Sequence, residues 1–449
     1  MNLHRMLADR KAEGRPVTVG LIGAGKFGTM FAAQVRTTAG MQLAGIADLN
    51  VERARSQLQT AGWPAEQYAA SSLEDALKTG RTFVTDDSDA LIAHPAIEVI
   101  IEATGDPRTG IRLCLATIAA GKHIVMVNVE ADALAGPLLA RRARETGVVY
   151  SLAWGDQPAL ICEHVDWARA CGFTVVSAGK GTRYHPTYHA STPDTVWDIL
   201  DSYLKIDDRG SINPKMFNSF IDGTKSAIEM TAVCNATGLA SQEGGLSFPA
   251  ASRFEHAEIC KPRSAGGVLE KAGVTEVTSS VTRDGQEVPH HLAMGTYVVI
   301  EAESDYGRRC FREYNMLQDS SGRYASLYRP IHMIGLELGI SVASAALRRE
   351  PTGAPSAFNS DVVATAKRDL VPGEILDGEG GFCVWGKQTP AQRSLEAGYL
   401  PLGLAHGVRL KTAIAVGAPI GWNDVEYAPD DIAVRIRREM EAAFARPNA

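Results

Sequence analysis

An apolar segment that ends in a glycine-rich turn constrains the fold of this chain more than any other feature. Val17–Ile22 is apolar and is followed by Gly23-Ala24-Gly25-Lys26-Phe27-Gly28, then by a helical pattern and a second apolar run that ends at Asp48. This is the G-x-G-x-x-G fingerprint in the strand, turn, helix and strand context that it requires. The first glycine permits a sharp turn, the second lets a pyrophosphate approach the backbone, and the third allows close helix–strand packing. We therefore predict that a dinucleotide binds here, with its phosphates at the helix N-terminus.

The acidic residue at the end of the second run bears on which dinucleotide binds. Asp48 stands 20 residues after Gly28, where a carboxylate usually accepts from the adenosine ribose, and this favours NAD. Arg53 and Arg55 follow within one or two turns, where they can hold the 2′-phosphate of NADP or serve as solvated helix charges. These residues alone leave NAD and NADP open.

Length and periodicity predict several domains. A chain of 449 residues is long enough for two to four. Strand and helix patterns alternate up to about residue 152, which is typical of a doubly wound parallel sheet. We predict a Rossmann domain at 1–155, an α+β substrate and dimerisation domain at 156–355, and a small β domain at 356–449. Within the second domain we expect helices over Asn213–Leu239 and over Tyr324–Leu347, the latter interrupted by Pro330.

Composition excludes several classes of partner. The formal net charge of −7 provides no basic field for nucleic acid or an anionic membrane. No window approaches 18 apolar residues, and the first 16 residues lack the apolar core of a secretory signal. The seven scattered cysteines contain no C-x-x-C pair, which is typical of a reducing compartment. We expect a cytoplasmic protein with no nucleic-acid or membrane partner.

Two polar clusters follow predicted strands of the Rossmann domain. Thr104-Gly105-Asp106 and Asn128-Val129-Glu130 each stand at the carboxyl end of a strand, where ligands bind in open α/β sheets. We predict that Thr104, Gly105, Asn128 and Glu130 contribute to the cofactor site. Simple capping of the following loops is the alternative.

A charged group in the second domain is a candidate for chemistry. Asp222, Lys225 and Glu229 have spacings of three and four, so they share one face if the segment is helical. A lysine flanked by carboxylates can donate a proton or stabilise an oxyanion. The alternative is a solvated ladder of ion pairs, worth a few tenths of a kcal/mol each.

Two basic turns are candidates for binding an anionic substrate group. Gly179-Lys180-Gly181-Thr182-Arg183 follows a predicted strand, and Ser320-Ser321-Gly322-Arg323 precedes the predicted long helix, whose N-terminus can receive a phosphate. Both can also be ordinary turns. His185 and His189 have a spacing of four, but Pro186 breaks any shared helix face, which argues against a metal site.

Several motifs together resemble a known family. GLIGAGKFG, IIEATGDP, GKHIVMVNVEAD and DGTKSAIEM resemble homoserine dehydrogenase-like oxidoreductases, and AKRDLVPGEIL resembles the SAF domain, a small β-clip module. The combination spans essentially the whole chain and is similar to the deoxyxylulose-5-phosphate reductoisomerase-like (DRL) family. This resemblance implies a homodimer that uses NADPH, rather than NADH, to make 2-C-methyl-D-erythritol 4-phosphate, an isoprenoid precursor, from a sugar phosphate.

The chain departs from homoserine dehydrogenases at two places. Those enzymes carry Asn-Lys where Asn128 is followed by Val129, and Asn-Gly-Thr where this chain has Asp222-Gly223-Thr224. Both differences argue against homoserine as the substrate.

The resemblance also implies roles for the candidate residues. It places Lys225 in the substrate site as an oxyanion stabiliser, with Asp222 and Glu229 orienting it or moving protons. Lys180, together with Ser320, Ser321 and Arg323, would then bind the phosphate. A Mg²⁺ or Mn²⁺ ion held by Glu130, Asp222 or Glu229 stays open.

Two other functions stay open. One is an NAD(P)-dependent dehydrogenase of a sugar acid or a homoserine-like substrate, since a fold does not fix its substrate. The other is a non-catalytic, nucleotide-sensing protein in which the SAF-like segment binds a ligand. The polar cluster around Lys225 favours an enzyme.

Overall fold

The computed structural model describes residues 2–203 and 213–445. The chain divides into two compact units. The first is Met1–Leu160 with Met333–Ser356, and the second is Ile161–His332 with Ala357–Ala449.

The α-helices of the described residues are α1 Leu3–Ala12, α2 Lys26–Val35, α3 Val51–Thr60, α4 Leu73–Thr79, α5 Ser88–Ala93, α6 Pro107–Ala119, α7 Val129–Glu145, α8 Gln157–Ala170, α9 Val196–Leu200, α10 Pro214–Ile221, α11 Thr224–Thr237, α12 His256–Ile259, α13 Asp305–Glu313, α14 Gly339–Arg348, α15 Ala391–Ala397 and α16 Ile432–Phe444. The strands are β1 Val17–Ile22, β2 Met41–Ala47, β3 Phe83–Thr85, β4 Val99–Glu102, β5 His123–Met126, β6 Tyr150–Leu152, β7 Thr174–Thr182, β8 Val274–Ser279, β9 Thr296–Glu301, β10 Leu317–Gln318, β11 Tyr324–Arg329, β12 Ser360–Ala366, β13 Ile375–Asp377, β14 Val384–Pro390, β15 His406–Leu410 and β16 Val425–Glu426.

A six-stranded parallel sheet forms the centre of the first unit. Its order is β3-β2-β1-β4-β5-β6, which is the order of doubly wound dinucleotide-binding folds. Its central strands are apolar and almost wholly buried because helices cover both faces, whereas the short edge strand β3 is half-buried. Helix α14 packs into this core through Val342 and Ala343, although it lies nearly 200 residues later in the chain. The predicted parallel α/β sheet is confirmed.

A mixed sheet of order β10-β11-β9-β7-β8 organises the second unit. Successive residues of β9 point to opposite faces, so Val298 packs with Val165 of α8 and Met230 of α11, whereas Val299 packs with Leu269 on the other side. The sheet is therefore covered on both faces by its own chain.

The predicted long helix over Tyr324–Leu347 is wrong in its first part. Tyr324–Arg329 forms β11, which pairs antiparallel with all of β9, and only Gly339–Arg348 is helical. The alternating side chains of Tyr-Ala-Ser-Leu-Tyr are compatible with a strand that pairs with β9. Pro330 then ends this strand. The predicted helix over Asn213–Leu239 is likewise two helices, since Gly223 adopts φ +89° between α10 and α11.

The carboxyl-terminal segment is rich in antiparallel strands, as predicted. β12 pairs with β14, and β13, β15 and β16 form a second small sheet. Helix α11 packs against both β12 and β14. Among the described residues, no helix is long and apolar enough to cross a bilayer.

Candidate cofactor and substrate sites

The glycine turn of the first unit has the geometry that a pyrophosphate needs. Gly23 adopts φ +99°, and a Cβ there would lie 2.6 Å from the carbonyl oxygen of Ala103. A Cβ on Gly28 would lie 2.2 Å from the Gly23 carbonyl oxygen, so helix α2 can approach the turn only with glycine there. No side chain caps α2 at Gly25, and a Cβ on Gly25 would meet nothing within 4 Å. The start of α2 is therefore open to an anion.

Asp48 fastens this turn rather than projecting freely from the end of β2. Its carboxylate accepts hydrogen bonds from the backbone N–H of Ala24 at 2.8 Å and of Asn50 at 2.9 Å. Nη2 of Arg53 lies 2.9 Å from both carboxylate oxygens, while the Arg53 side chain remains 56% exposed. Arg55 instead lies 3.9 Å from Glu52. Of the two arginines, Arg53 is the one held beside the cofactor turn.

A buried carboxyl group at the end of β4 was missed by the sequence analysis. Glu102 is fully buried and accepts hydrogen bonds from the backbone N–H of Thr104 at 2.8 Å and from its hydroxyl. Desolvation raises the pKa of Glu102 to about 7. Thr104 therefore holds Glu102, whereas Gly105 is exposed with φ +74° and open space around it. The sequence does contain a signal for this buried carboxyl group, because Glu102 is an acidic residue within the apolar run IEVIIEA.

The segment after β5 begins a helix directly, so it is not the loop that was expected. Asn128 caps α7 by accepting from the Ala131 N–H at 3.1 Å, and its amide donates to the Asp106 carbonyl at 2.9 Å. Glu130 lies half-buried in the first turn of α7. Asn128 therefore performs the capping role and also ties together the two loops at this edge of the sheet.

In the second unit, Lys180 lies within β7, not in a loop after it. Its ammonium forms an ion pair with Glu229 of α11, and the two side chains are only 6% and 4% exposed. The carboxylate neutralises the lysine inside the protein. A substrate anion can use this lysine only in competition with Glu229.

Asp222 has a different lysine partner. It ends α10, accepts from the Thr224 N–H at 2.9 Å, and lies 2.7 Å from Nζ of Lys367, with both side chains almost wholly buried. The solvated ladder considered for this segment is therefore wrong. Gly223 breaks the helix, so only Lys225 and Glu229 share α11, with Lys225 half-buried in its first turn.

His189 joins this cluster and was also missed as a site residue. Its ring stacks on Trp385 at 3.7 Å, its Nδ1 lies 2.7 Å from the Asp222 carbonyl oxygen, and its Nε2 lies 2.9 Å from the Tyr184 hydroxyl. Burial lowers the pKa of His189. No local pattern signals this cluster, because its members come from distant segments.

Two of the carboxylates predicted to hold a divalent ion already have a cationic partner. Asp222 and Glu229 each face a lysine. Within residues 2–203 and 213–445, no three His, Cys, Asp or Glu side chains converge as a ligand set.

The turn at 320–323 is not an anion cradle. Ser320 donates to Glu258, the Ser321 hydroxyl donates to Asp319 at 2.7 Å, and Arg323 pairs with Glu301. The turn precedes a strand, so no helix N-terminus is present, and the nearby carboxylates repel a phosphate. The predicted phosphate site at Ser320, Ser321 and Arg323 is wrong for these reasons.

Two protein-family models match different parts of the chain. Residues 17–127 match the model of the oxidoreductase family with an NAD-binding Rossmann fold, and residues 155–338 match the catalytic domain of oxidoreductase DRL. The chain therefore contains an NAD(P)-binding Rossmann domain of an oxidoreductase type.

Individual relatives are more distant. The chain is 31% identical over 123 residues to a homoserine dehydrogenase from Methylobacillus glycogenes, and this match spans 25% of each chain. It is 13% identical to a probable dehydrogenase from Thermotoga maritima, covering 74% of this chain and 90% of that one with a TM-score of 0.36. An NAD binding oxidoreductase from Klebsiella pneumoniae is 14% identical, with 72% and 68% covered and a TM-score of 0.31.

Proposed function

We propose that this oxidoreductase is an NADPH-dependent 1-deoxy-D-xylulose 5-phosphate reductoisomerase that makes 2-C-methyl-D-erythritol 4-phosphate. The match of residues 155–338 to the DRL catalytic domain carries the proposal, together with the resemblance of the motifs around Asp222. The proposal includes a homodimer, which sedimentation equilibrium of the full chain measures.

The reaction requires a carbon-skeleton rearrangement by retroaldol and aldol steps, followed by reduction of the resulting aldehyde. NADPH supplies the hydride, so the protein must move protons at hydroxyl groups and stabilise an enolate. Lys225 is the proposed oxyanion stabiliser, because it is half-buried and one helical turn from Glu229. The buried Lys180–Glu229 pair next to it can exchange a proton without solvent.

The surroundings of Asp48 support NADPH over NADH. Both carboxylate oxygens already accept hydrogen bonds, so they are poorly placed to recognise a free ribose hydroxyl. The half-exposed Arg53 guanidinium beside them suits a 2′-phosphate, since arginine binds phosphate through several donors at once.

A direct assay tests the proposal. Purified full-length protein is incubated with deoxyxylulose 5-phosphate and NADPH, with and without Mg²⁺ or Mn²⁺, and NADPH oxidation and product mass are followed together. We expect one methylerythritol phosphate for each NADPH oxidised, and loss of this turnover in Lys225→Met but not in the exposed control Lys271→Met.

Two results would contradict the proposal in different ways. Turnover of a sugar acid or of homoserine, without methylerythritol phosphate, would show a simple dehydrogenase. Tight NADPH binding with no turnover of any of these substrates would show a nucleotide-sensing protein.

A further inference from the structure

Lys367, just after β12 in the carboxyl-terminal part of the chain, is held by three acceptors. Its ammonium lies 2.7 Å from Oδ2 of Asp222 and donates to the carbonyl oxygens of Ser191 and Gly381, each at 2.7 Å. Two of the three N–H donors of the ammonium are used by these carbonyl oxygens, and the ion pair with Asp222 balances its charge. It joins the end of α10 to a segment more than 140 residues later.

The position of Asp222 fixes the protonation of His189. A carbonyl oxygen only accepts, so the 2.7 Å contact with Asp222 requires the proton on Nδ1 of His189. Nε2 of His189 is then an acceptor, and the Tyr184 hydroxyl 2.9 Å away must donate to it. Tyr184 and His189 thus form a directed pair, here called the Tyr184–His189 relay.

The backbone around the relay is held in unusual conformations. Phe248, whose ring stacks on Tyr184 at 3.9 Å, has φ +50°, which is rare for a bulky side chain. A Cβ on Gly223 would lie 3.2 Å from Cε1 of His189. Such conformations persist where the surrounding structure enforces them, and they concentrate at functional sites.

We propose that the Tyr184–His189 relay moves a proton in the candidate substrate site and that Lys367 is its positioning residue, acting through Asp222. The Tyr184 oxygen takes a proton from a substrate hydroxyl while the phenol proton passes to Nε2 of His189, which leaves an alkoxide and an imidazolium. The reverse transfer restores the resting state. The exposed guanidinium of Arg283 lies 5.3 Å from the Tyr184 ring centroid and can stabilise the developing negative charge.

The positioning role of Lys367 can be separated from a purely structural role, because the second unit contains another buried lysine–aspartate ion pair that serves as a control. Lys261 lies 2.9 Å from Asp319, and these side chains are 3% and 0% exposed. The Lys261 ammonium donates to Asp319 and Glu258 rather than to the relay. Lys261→Met therefore removes an equally buried lysine without disturbing His189. The charged and titratable groups that face His189 are Asp222, Tyr184, Lys367 and Lys387.

The first test reads the His189 ring directly in the full chain. In ¹⁵N-labelled protein, long-range ¹H–¹⁵N spectra identify the tautomer, with His189 assigned by the signal that disappears in His189→Gln. We expect the wild type to carry the proton on Nδ1 and to resist protonation below the ordinary pKa of histidine. A proton on Nε2, or an ordinary titration, would overturn the proposal.

The second test removes the lysine. In Lys367→Met we expect the pKa of His189 to rise, because a cation that lowers it is lost and a carboxylate that raises it is left behind. Lys261→Met should leave it unchanged. If Lys367→Met does not fold, Lys367→Gln, which keeps N–H donors without the charge, is measured instead. A His189 signal identical to wild type in the folded variant would overturn the positioning role.

The role of the relay in turnover rests on the proposed function and is tested separately, by the pH dependence of kcat. We expect the acid limb of the pH profile of kcat to move to higher pH in Lys367→Met, with KM for NADPH unchanged. An unmoved limb would overturn the relay's role in turnover. Failure of the wild type to turn over deoxyxylulose 5-phosphate would contradict the proposed function, whereas the two spectroscopic tests would still decide the positioning.

Discussion

At the scale of the residue, Arg53 is the side chain that should separate the two nicotinamide cofactors. Its guanidinium is held by Asp48 yet is 56% exposed. A charge-assisted hydrogen bond contributes roughly 1.5–3 kcal/mol, so Arg53→Met should weaken NADPH binding by about 10- to 150-fold and leave NADH binding nearly unchanged. Fluorescence titration with each cofactor measures both constants, and Arg55→Met is the control. Equal weakening of both cofactors would show that Arg53 only supports the turn.

Glu102 should make the stability of the protein depend on pH. Its pKa is raised from 4.5 to about 7 in the folded state, so the folded form binds more protons between these values. The stability that the protonated carboxyl provides is full below about pH 4.5 and is lost as pH rises through about 7. Glu102→Gln should therefore raise the free energy of unfolding by up to about 3 kcal/mol at pH 8.5 and by much less at pH 5.

Thermal unfolding at the two pH values measures this effect. The exposed residue Glu66 provides the control Glu66→Gln, which should behave as wild type at both. A stabilisation by Glu102→Gln that is equal at pH 5 and pH 8.5 would contradict the raised pKa.

Residues whose role depends on local spacing were predictable, and residues whose role depends on tertiary contacts were not. Gly23 and Gly28 follow from the order of strand, turn and helix, and the structure has the tight turn and close helix packing that they predict. Asp48 lies at the end of β2 as expected, but its carboxylate binds the turn and Arg53. His189 and Lys367 gain their environment from partners in distant segments, so no spacing in the sequence marks them.

At the scale of the element, the same apolar run is compatible with a helix or with a strand. The segment that it packs against determines which of the two forms. Tyr324–Arg329 lies beside β9 and completes its hydrogen bonds, whereas Gly339–Arg348 packs a helical face on the first sheet. The hydrophobic periodicity of one segment does not show which other segment it will pack against in the fold. The first sheet was largely predictable because most of its strands carry an apolar run between helical segments. The short, half-buried edge strand β3 was not predicted.

Helix α16 is an element whose attachment depends on one buried arginine. Arg437 is fully buried, with Nη1 3.0 Å and Nη2 2.5 Å from the two carboxylate oxygens of Asp361 on β12. Arg437→Met should destabilise the protein by about 3–5 kcal/mol, because it leaves the Asp361 charge buried and unpaired.

Urea unfolding measures the loss. The exposed residue Arg435 on the same helix supplies the control Arg435→Met, expected within about 0.5 kcal/mol of wild type. The double variant Asp361→Asn/Arg437→Met should recover part of the stability, since it removes the stranded charge. A single variant as stable as its control would show that α16 is held by apolar packing alone.

At the scale of the whole molecule, the second unit is assembled from two stretches of chain. Glycine-rich β sequence after residue 356 indicated a small β region, but nothing in the sequence showed that its strands would cover α11. Nearly every residue from Thr224 to Asn235 is buried, and the Asn235 side chain accepts from the backbone N–H of Asn359 at 2.8 Å and of Ser360 at 3.0 Å. The carboxyl-terminal strands therefore complete the core around the candidate substrate site.

A chain that stops at Ser356 should for this reason lose the fold of its second unit while its first unit persists. The first unit contains the glycine turn, Asp48 and the whole parallel sheet, so NADPH binding should stay within about 5-fold of the full chain. Removing β12 and β14 exposes the apolar and polar groups that they cover on α11, which should open 161–332 to proteases. Limited proteolysis with mass spectrometry, alongside NADPH titration, measures both effects. A truncated chain whose second unit resists proteolysis as the full chain does would show that these strands are an accessory layer rather than part of the core.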